Sequence, residues 1–356
     1  MQAIILVGGE GTRLRPLTYT APKQMVPILG RPMLEWVISN LKMHGIDEVT
    51  LSLGYLPDAF MDAYPSGEVL GVRLHYAVEP ERLDTAGAIR FAAEAAKVAG
   101  TFIVLNGDVM TDLNLTALID FHRARGAEAT IALHRVEDPS AFGVVPTEPD
   151  GRVIAFVEKP PRDEAPTNLI NAGTYVFESS VLDLIPSGRR VSIERETFPV
   201  LVERGALYAM SGECYWIDAG TPPALLQAHF DLMDGAREIS LEGVVNHGDY
   251  YQESDVVLHG AASEQAFLGA GSIIEAGAHV RHSMIGAGAC IGAGAVIADS
   301  IVFPGATVEA NAMVERSIVG PGGRIGEGAR LSEYSVTGAG VEVAPASSLV
   351  GERLPI

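Results

Sequence analysis

Cysteine, lysine and long apolar runs are all in short supply in this chain, and each shortage closes off a class of function. The two cysteines, Cys214 and Cys290, stand in no metal or redox spacing and supply no disulfide framework, which points to a reducing compartment and a cytoplasmic location. Lysine occurs only as Lys23, Lys42, Lys97 and Lys159, and the formal net charge is −20. Nucleic acid and anionic membrane both select basic faces, so neither is an expected partner, and an anionic substrate has to be captured by local charge. No run approaches the ~20 apolar residues of a membrane-spanning helix. The apolar stretch at 3–7 lacks a basic flank and is too short for a secretory signal. The nine histidines are scattered. Their one close pair, His279 and His282, has no third ligand nearby and reads as surface imidazoles on a repeat coil. A length of 356 residues suits two domains better than one.

What the chain does have is concentrated at its start. The apolar run Ala3 to Val7 reads as a buried strand, and it breaks into Gly8-Gly9-Glu10-Gly11-Thr12-Arg13. Three glycines there let backbone N–H groups turn towards a bound anion without interference from Cβ atoms. The common phosphate loops do not fit. A Walker loop ends in Gly-Lys-Ser/Thr, and no Lys-Ser or Lys-Thr follows; a dinucleotide fingerprint needs Gly or Ala where this chain has Leu14. What remains is a glycine turn with Arg13, Arg15 close by and Lys23 in Ala-Pro-Lys. Such a set can wrap a triphosphate and neutralise charge that moves during reaction at one phosphorus.

Strand and helix patterns then alternate: a helix over 32–44, strands over 48–53 and 72–78, a helix through 85–98 and a strand at 101–105. This is the rhythm of a mostly parallel sheet covered by helices. In such sheets ligands sit beyond the carboxyl ends of strands. Asp108, in Asn106-Gly107-Asp108 after an apolar run, and Asp218, in Trp216-Ile217-Asp218, both stand at such ends. Mg²⁺ takes one or two protein carboxylates beside substrate phosphates, so the two aspartates are candidates to share one ion. Between them Gly143, Glu158-Lys159 and Asn171 place a glycine or a polar group beside apolar strands. Lys159 suits a compact monophosphate, and Glu158 and Asn171 suit sugar hydroxyls.

The chain changes character after about residue 235. Aliphatic residues recur at 268, 274, 280, 285, 291, 297, 308, 314, 319, 325 and 331, in steps of six or five apart from one doubled step. A hexapeptide period means a β-helix, with the aliphatic side chains pointing into a prism. Residues 1–235 are expected to form the catalytic domain, 236–262 a linker and 263–356 the β-helix. Exposed coil edges favour self-association, and a homo-oligomer, dimer or tetramer, is expected.

With these residues assembled, the sequence resembles the nucleotidyltransferases that make nucleoside-diphosphate sugars, most closely the guanylyltransferase branch. The motifs are Val7 to Thr18, Pro22-Lys23, Asn106-Gly107-Asp108-Val109, Val157-Glu158-Lys159-Pro160, Asn171-Ala172-Gly173, Ser192 to Pro199 and Trp216 to Gly220. The resemblance implies an α/β fold, a Rossmann-like, mostly parallel sheet followed by a left-handed parallel β-helix. It implies in-line attack of a sugar 1-phosphate oxygen on the α-phosphorus of a nucleoside triphosphate, with Mg²⁺ and without a general base. It assigns catalysis to Arg13, Lys23 and Asp108, and the metal to Asp108 and Asp218. The nucleotide falls to Leu6, Gly8, Gly9, Gly11, Thr12, Arg13, Glu79, Asp84, Thr85 and Gly87, and the sugar phosphate to Gly143, Glu158, Lys159 and Asn171. One departure stands out. The family carries Leu-Gly-Thr-Ala-Gly near the base, and this chain has Leu83-Asp84-Thr85-Ala86-Gly87, which adds a Cβ and a carboxylate there. A carboxylate at Glu79 or Glu81 can accept from guanine N1–H and N2–H₂ together, while uracil and thymine offer one donor. That argument favours GTP, and the resemblance implies mannose 1-phosphate with it as the leading pair. The rivals are a glucose-1-phosphate thymidylyl- or uridylyltransferase, an enzyme for a cyclitol phosphate, a non-catalytic regulatory paralogue and a hexapeptide-repeat acyltransferase.

Overall fold

Short, continuous apolar runs bounded by glycine make the first strands, because a strand covered by helices on both faces has no polar side to show. The computed structural model describes residues 1–237, 241 and 243–355. It divides into two compact units, Met1–Gly9 with Leu34–Trp216 and Glu10–Met33 with Ile217–Ile356.

In the first unit, β1 (Gln2–Leu6), β2 (Glu48–Leu53), β3 (Val72–Val78) and β4 (Thr101–Asn106) are parallel and lie in the order β4-β1-β2-β3. Ala3, Ile4 and Ile5 of β1 are fully buried. Helix α1 (Met33–Met43) leads into β2, and α2 (Asp84–Ala95) packs Ala86, Ile89, Ala92 and Ala93 into the core with Phe102, Tyr175, Phe177 and Phe198. Helix α3 (Leu115–Arg125) opens on Asn114, whose side chain accepts from Ala117 N–H at 2.9 Å, and stops at Gly126, where φ is 58°. Both are the end signals a helix needs for its unpaired backbone groups.

The sheet continues through β5 (Ala129–Arg135), β6 (Gly143–Val144), β7 (Val157–Glu158), β8 (Leu169–Glu178) and β9 (Leu207–Ser211). Here β8 runs antiparallel to β4 and β5, and β9 runs parallel to β5. The β8–β5 register shifts between Asn171 and Tyr175, and Gly173 within the shift has φ 73°, a left-handed conformation that costs a glycine little. The strands stand as the sequence pattern indicates, to within a residue or two.

In the second unit, α4 (Pro222–Met233) precedes a parallel β-helix. Its three faces stack Val257–Leu258, Ile273–Ile274, Cys290–Ile291, Thr307–Val308, Arg324–Ile325 and Glu342–Val343 on one side, with equivalent parallel ladders on the others. Through the middle of the prism successive coils pair residues 17 apart, as in the bonds between Ser283, Ser300 and Ser317, whereas the last coils pair Arg324 with Glu342 and Arg330 with Ser348, one residue longer. A coil of that middle stretch is thus two six-residue sides and one of five. The doubled step between 297 and 308 is filled by the fully buried Val302, five residues after one and six before the other. Ile274, Val280, Ile285, Ile291, Ile297, Val308 and Val314 fill the prism interior.

Strand pairing begins inside the segment expected as a linker, 236–262. Tyr250–Gln252 pairs with Ala266–Leu268, Val257–Leu258 with Ile273–Ile274 and Ala261–Ser263 with His279–Arg281, so the first coil starts near 250 without the Gly-Ala hexad pattern. Residues 238–240 and 242 of that segment lie outside the described residues. His282 is also not the surface imidazole expected. Its Nδ1 is 2.8 Å from Asp299 Oδ1, its Nε2 3.4 Å from Asp234 Oδ2, and its ring stacks on Phe230 at 4.3 Å. His279 is exposed, as expected.

Candidate active site

Parallel strands put all their carboxyl ends on one edge, and the first unit gathers most of its candidate residues there. Leu6 sits opposite Ser52 and Asn106 in the register. Gly8 lies just beyond it, packed so closely that a Cβ would stand 3.3 Å from Glu79 Oε1 and 3.5 Å from Gly54 N. Glu79 is held rather than loose: Ser52 Oγ donates to Oε1 at 3.1 Å and Leu83 N–H to Oε2 at 3.1 Å. Burial pushes its carboxyl above the usual range, with the Leu83 and Ser52 bonds opposing. Both oxygens are engaged, so Glu79 braces the turn into α2. Glu81 is exposed.

Asp84, the departure from the family pattern, adopts the left-handed backbone that a glycine would take, with φ 61°. Its carboxylate accepts from Thr85 N–H at 2.9 Å and lies 3.4 Å from Arg190 Nε. Thr85 Oγ1 accepts from Ile193 N–H at 2.8 Å and donates to Glu194 at 2.9 Å. For Gly87 the reason for glycine is packing: a Cβ would fall 2.5 Å from Arg189 O. Ala86 and Gly87 N–H both donate to Val191 O.

Asp108 follows β4 after a turn in which Gly107 N–H donates to Leu6 O at 3.0 Å. Beside it, Gly173 packs against Asn106, and Asn171 donates to Tyr175 Oη at 2.9 Å while accepting from Gly173 N–H at 3.0 Å. Gly143 pairs with Glu158 across β6 and β7, and a Cβ on it would meet the Phe156 ring at 2.4 Å. Lys159 N–H donates to Phe142 O at 3.0 Å and its Nζ is 3.5 Å from Glu158. Gly143, Glu158, Lys159 and Asn171 thus converge on one stretch of the sheet edge. Sequence reading passed over the rings beside them. Trp216 Nε1 donates to Ala172 O at 2.9 Å, stacks on His134 at 5.2 Å and meets Phe142 edge-on at 5.6 Å. Burial lowers the His134 pKa, which keeps that ring neutral against the indole. The signal available was Trp216 itself, one of two tryptophans in the chain.

The second unit assembles the cationic set. Gly11 has φ 61° and starts the turn Thr12–Leu14; a Cβ on it would lie 3.0 Å from both Lys23 Cβ and Thr18 Cγ2. Thr18 Oγ1 donates to Gly11 O at 2.8 Å, and Leu14 is fully buried. These anchors leave Thr12 and Arg13 exposed at the tip. The Arg13 guanidinium reaches Asp218 Oδ2 at 3.2 Å, while Gly220 N–H donates to Asp218 Oδ1 at 3.0 Å. A Cβ on Gly220 would stand 2.8 Å from Arg13 Nη2. Arg15 turns to Glu10 at 3.2 Å and lies over the Tyr19 ring. Lys23 is buried at the start of the turn Lys23–Met25. The segment is tied to α4 by Leu29 N–H, which donates to Nδ1 of the buried His229 at 3.4 Å.

Of the two aspartates considered for one ion, Asp108 stands in the first unit and Asp218 in the second. Among the described residues no three His, Cys, Asp or Glu side chains form an all-protein metal cluster. Among the described residues, too, no helix is long and apolar enough to cross a membrane.

Comparison with known proteins gives this arrangement a family. The nucleotidyl transferase model matches residues 2–235, and the EIF2B subunit epsilon LbH (left-handed β-helix) domain matches 247–349. The mannose-1-phosphate guanylyltransferase of Mycobacterium tuberculosis is 45% identical over 242 residues, 66% of this chain and 65% of that protein. The UTP–glucose-1-phosphate uridylyltransferase of Synechocystis is 37% identical over 241 residues, 64% of this chain and 62% of that protein. The chain therefore spans just under two thirds of the length of these curated relatives. Among solved structures, HddC from Yersinia pseudotuberculosis, complexed with GMP-PN, aligns with a TM-score of 0.57 at 29% identity, covering 65% of this chain and 99% of that one. The sheet whose carboxyl edge carries the candidate residues is the part that the first family model spans, and the chain belongs to the nucleotidyl transferase family.

Proposed function

We propose that the chain transfers a nucleoside monophosphate from a nucleoside triphosphate, GTP, to a sugar 1-phosphate, mannose 1-phosphate, releasing pyrophosphate and forming GDP-mannose. The observation that carries the reading is the Arg13–Asp218 pair. A glycine turn and a strand end 205 residues apart bring an exposed guanidinium and a carboxylate to 3.2 Å, a cation suited to phosphate oxygens beside an acid suited to a divalent ion. The nucleotide named with HddC and the activity named for the relative at 45% identity favour guanine and mannose.

In this reading the attacking phosphate oxygen is already ionised, so the protein's work is positioning and charge neutralisation. Arg13 and Lys23 take the triphosphate; Lys159 takes the sugar phosphate; Asn171, Glu158 and the space left at Gly143 receive the sugar. Leu6, Gly8, Gly9, Gly11, Thr12, Glu79, Asp84, Thr85 and Gly87 form or brace the nucleotide side. Hard carboxylate oxygens suit Mg²⁺, for which Asp108 and Asp218 are each a candidate ligand, and the ion would supply further neutralisation of phosphate charge.

A pyrophosphate-release screen of the four nucleoside triphosphates against sugar 1-phosphates tests the reading. GTP with mannose 1-phosphate is expected to be fastest. A clear preference for UTP or dTTP, as the name of the Synechocystis relative invites, overturns the choice of base, and no release with any pair overturns the enzymatic reading.

A further inference from the structure

One contact in the second unit ties the β-helix to the glycine turn. Arg353 lies on the strand Arg353–Leu354, and its Nη1 donates to the main-chain oxygens of Arg13 at 2.7 Å and Arg15 at 3.2 Å, across 340 and 338 residues of sequence. The turn Thr12–Leu14 uses the N–H groups of Leu14 and Arg15 on Gly11 O and Thr12 O. Its later carbonyls are then left without intrahelical partners, and carbonyls at the carboxyl end of a helical turn are satisfied well by a guanidinium. Arg353 supplies that cap from the far end of the chain.

Both ends of the contact are fixed independently. On the prism side, Val336 N–H donates to Glu352 O at 2.8 Å, Gly338 N–H to Leu354 O at 2.9 Å, and Glu352 N–H to Ser335 Oγ at 3.2 Å. On the loop side, buried Leu14 lies between the two carbonyls that Arg353 grips. Holding the peptide planes that follow Arg13 and Arg15 restricts the direction in which the Arg13 side chain leaves the backbone. That direction matters because Arg13 is exposed and, among the described residues, its tip is paired with Asp218.

We propose that Arg353 is a positioning residue for the nucleotidyl transfer: it sets the backbone of residues 13–15 so that Arg13 meets the triphosphate, and through it the β-helix supports turnover. The inference rests on the role proposed above for Arg13.

The test compares the full-length chain with Arg353→Ala, Arg353→Gln and Arg353→Lys, by pyrophosphate release and by amide hydrogen exchange at residues 14 and 15. Arg353→Ala is expected to lower kcat about tenfold with the KM for sugar phosphate unchanged, and to speed exchange at Leu14 and Arg15 by about tenfold while core strands keep their protection. Lys, which can reach one carbonyl, is expected to restore part of the rate, and Gln to fall between Lys and Ala. Unchanged exchange at 14 and 15 overturns the proposal, as does faster exchange with unchanged kcat. A lower melting temperature with uniform loss of protection also overturns it, since that is a structural role only. If the unaltered chain releases no pyrophosphate with any substrate pair, the reaction reading has failed, and exchange alone judges the contact.

Discussion

Replacing Arg13 with alanine separates stability from chemistry more cleanly than any other change in this chain. Among the described residues the guanidinium pairs with Asp218 at 3.2 Å, and the Arg13 side chain is 60% exposed. A pair so open to solvent is screened and contributes roughly 0.5 kcal/mol or less to folding. For a chain of this size that shifts the melting temperature by at most about 2 °C. The backbone contacts that shape the turn, Leu14 N–H to Gly11 O and Thr18 Oγ1 to Gly11 O, do not involve the lost side chain. If Arg13 neutralises charge on a triphosphate as its bonds change, its removal is worth what one preorganised electrostatic donor is worth, a loss of ~10²–10³ in kcat. Turnover by pyrophosphate release and unfolding by circular dichroism, on the same preparation, read the two numbers. Turnover within about threefold of the parent refutes the role. A melting temperature lowered by more than about 5 °C would instead make Arg13 a structural clamp between the turn and Asp218.

Three further outcomes follow from the geometry. Ile291 is fully buried between Ile274 and Val308 of adjoining coils, so Ile291→Ala is expected to cost ~2–5 kcal/mol, read as a lower urea midpoint of the β-helix; an unchanged midpoint would mean the prism interior is not close-packed. Gly107→Ala puts a Cβ 2.6 Å from Val7 Cγ1 and 3.0 Å from Leu6 O, so the turn bearing Asp108 must move, and turnover is expected to fall more than about tenfold with ~1–3 kcal/mol lost from stability. Wild-type turnover would show that the position of Asp108 does not matter. Stability is also expected to fall in mild acid because of His229. Burial pushes its imidazole down to about 3, below the ~6.5 of the unfolded chain. Its contribution is therefore complete above the unfolded value and is lost as pH falls from there towards 3, about 2 kcal/mol by pH 5. Urea unfolding at pH 7 and pH 5 measures this, and His229→Gln, which can still accept from Leu29 N–H, should flatten the slope.

Features set by neighbours a few residues apart were legible in the sequence. The glycine turn, the strand–helix alternation and the hexapeptide prism each rest on local spacing, and the structure bears out all three. Even Val302, which the counted period skipped, follows once its own coil is known to pair 17 residues on from Ile285. The first coil was not legible because Tyr250–Gln252 and Ala261–Ser263 are recruited by pairing with the next coil and carry no hexad of their own. The reason for glycine at Gly87 was hidden for the same kind of cause, since the atom it must avoid, Arg189 O, comes from a distant segment.

The deepest gap concerns the glycine turn itself. Read along the chain, Glu10 to Met33 belongs with the strand that leads into it, yet its compact unit is that of the β-helix. Within that unit the segment is held by bonds that join Leu29 to His229, Arg13 to Asp218 and Arg13 and Arg15 to Arg353, each across at least 200 residues. No local pattern encodes such pairs, because each partner alone is an ordinary histidine, aspartate or arginine. Their consequence is physical. An exposed cation on a short turn gains its fixed direction from what holds the turn, and that support comes from α4 and the last coil of the prism. A repeat domain that would otherwise count as an appendage is therefore part of what holds Arg13 still.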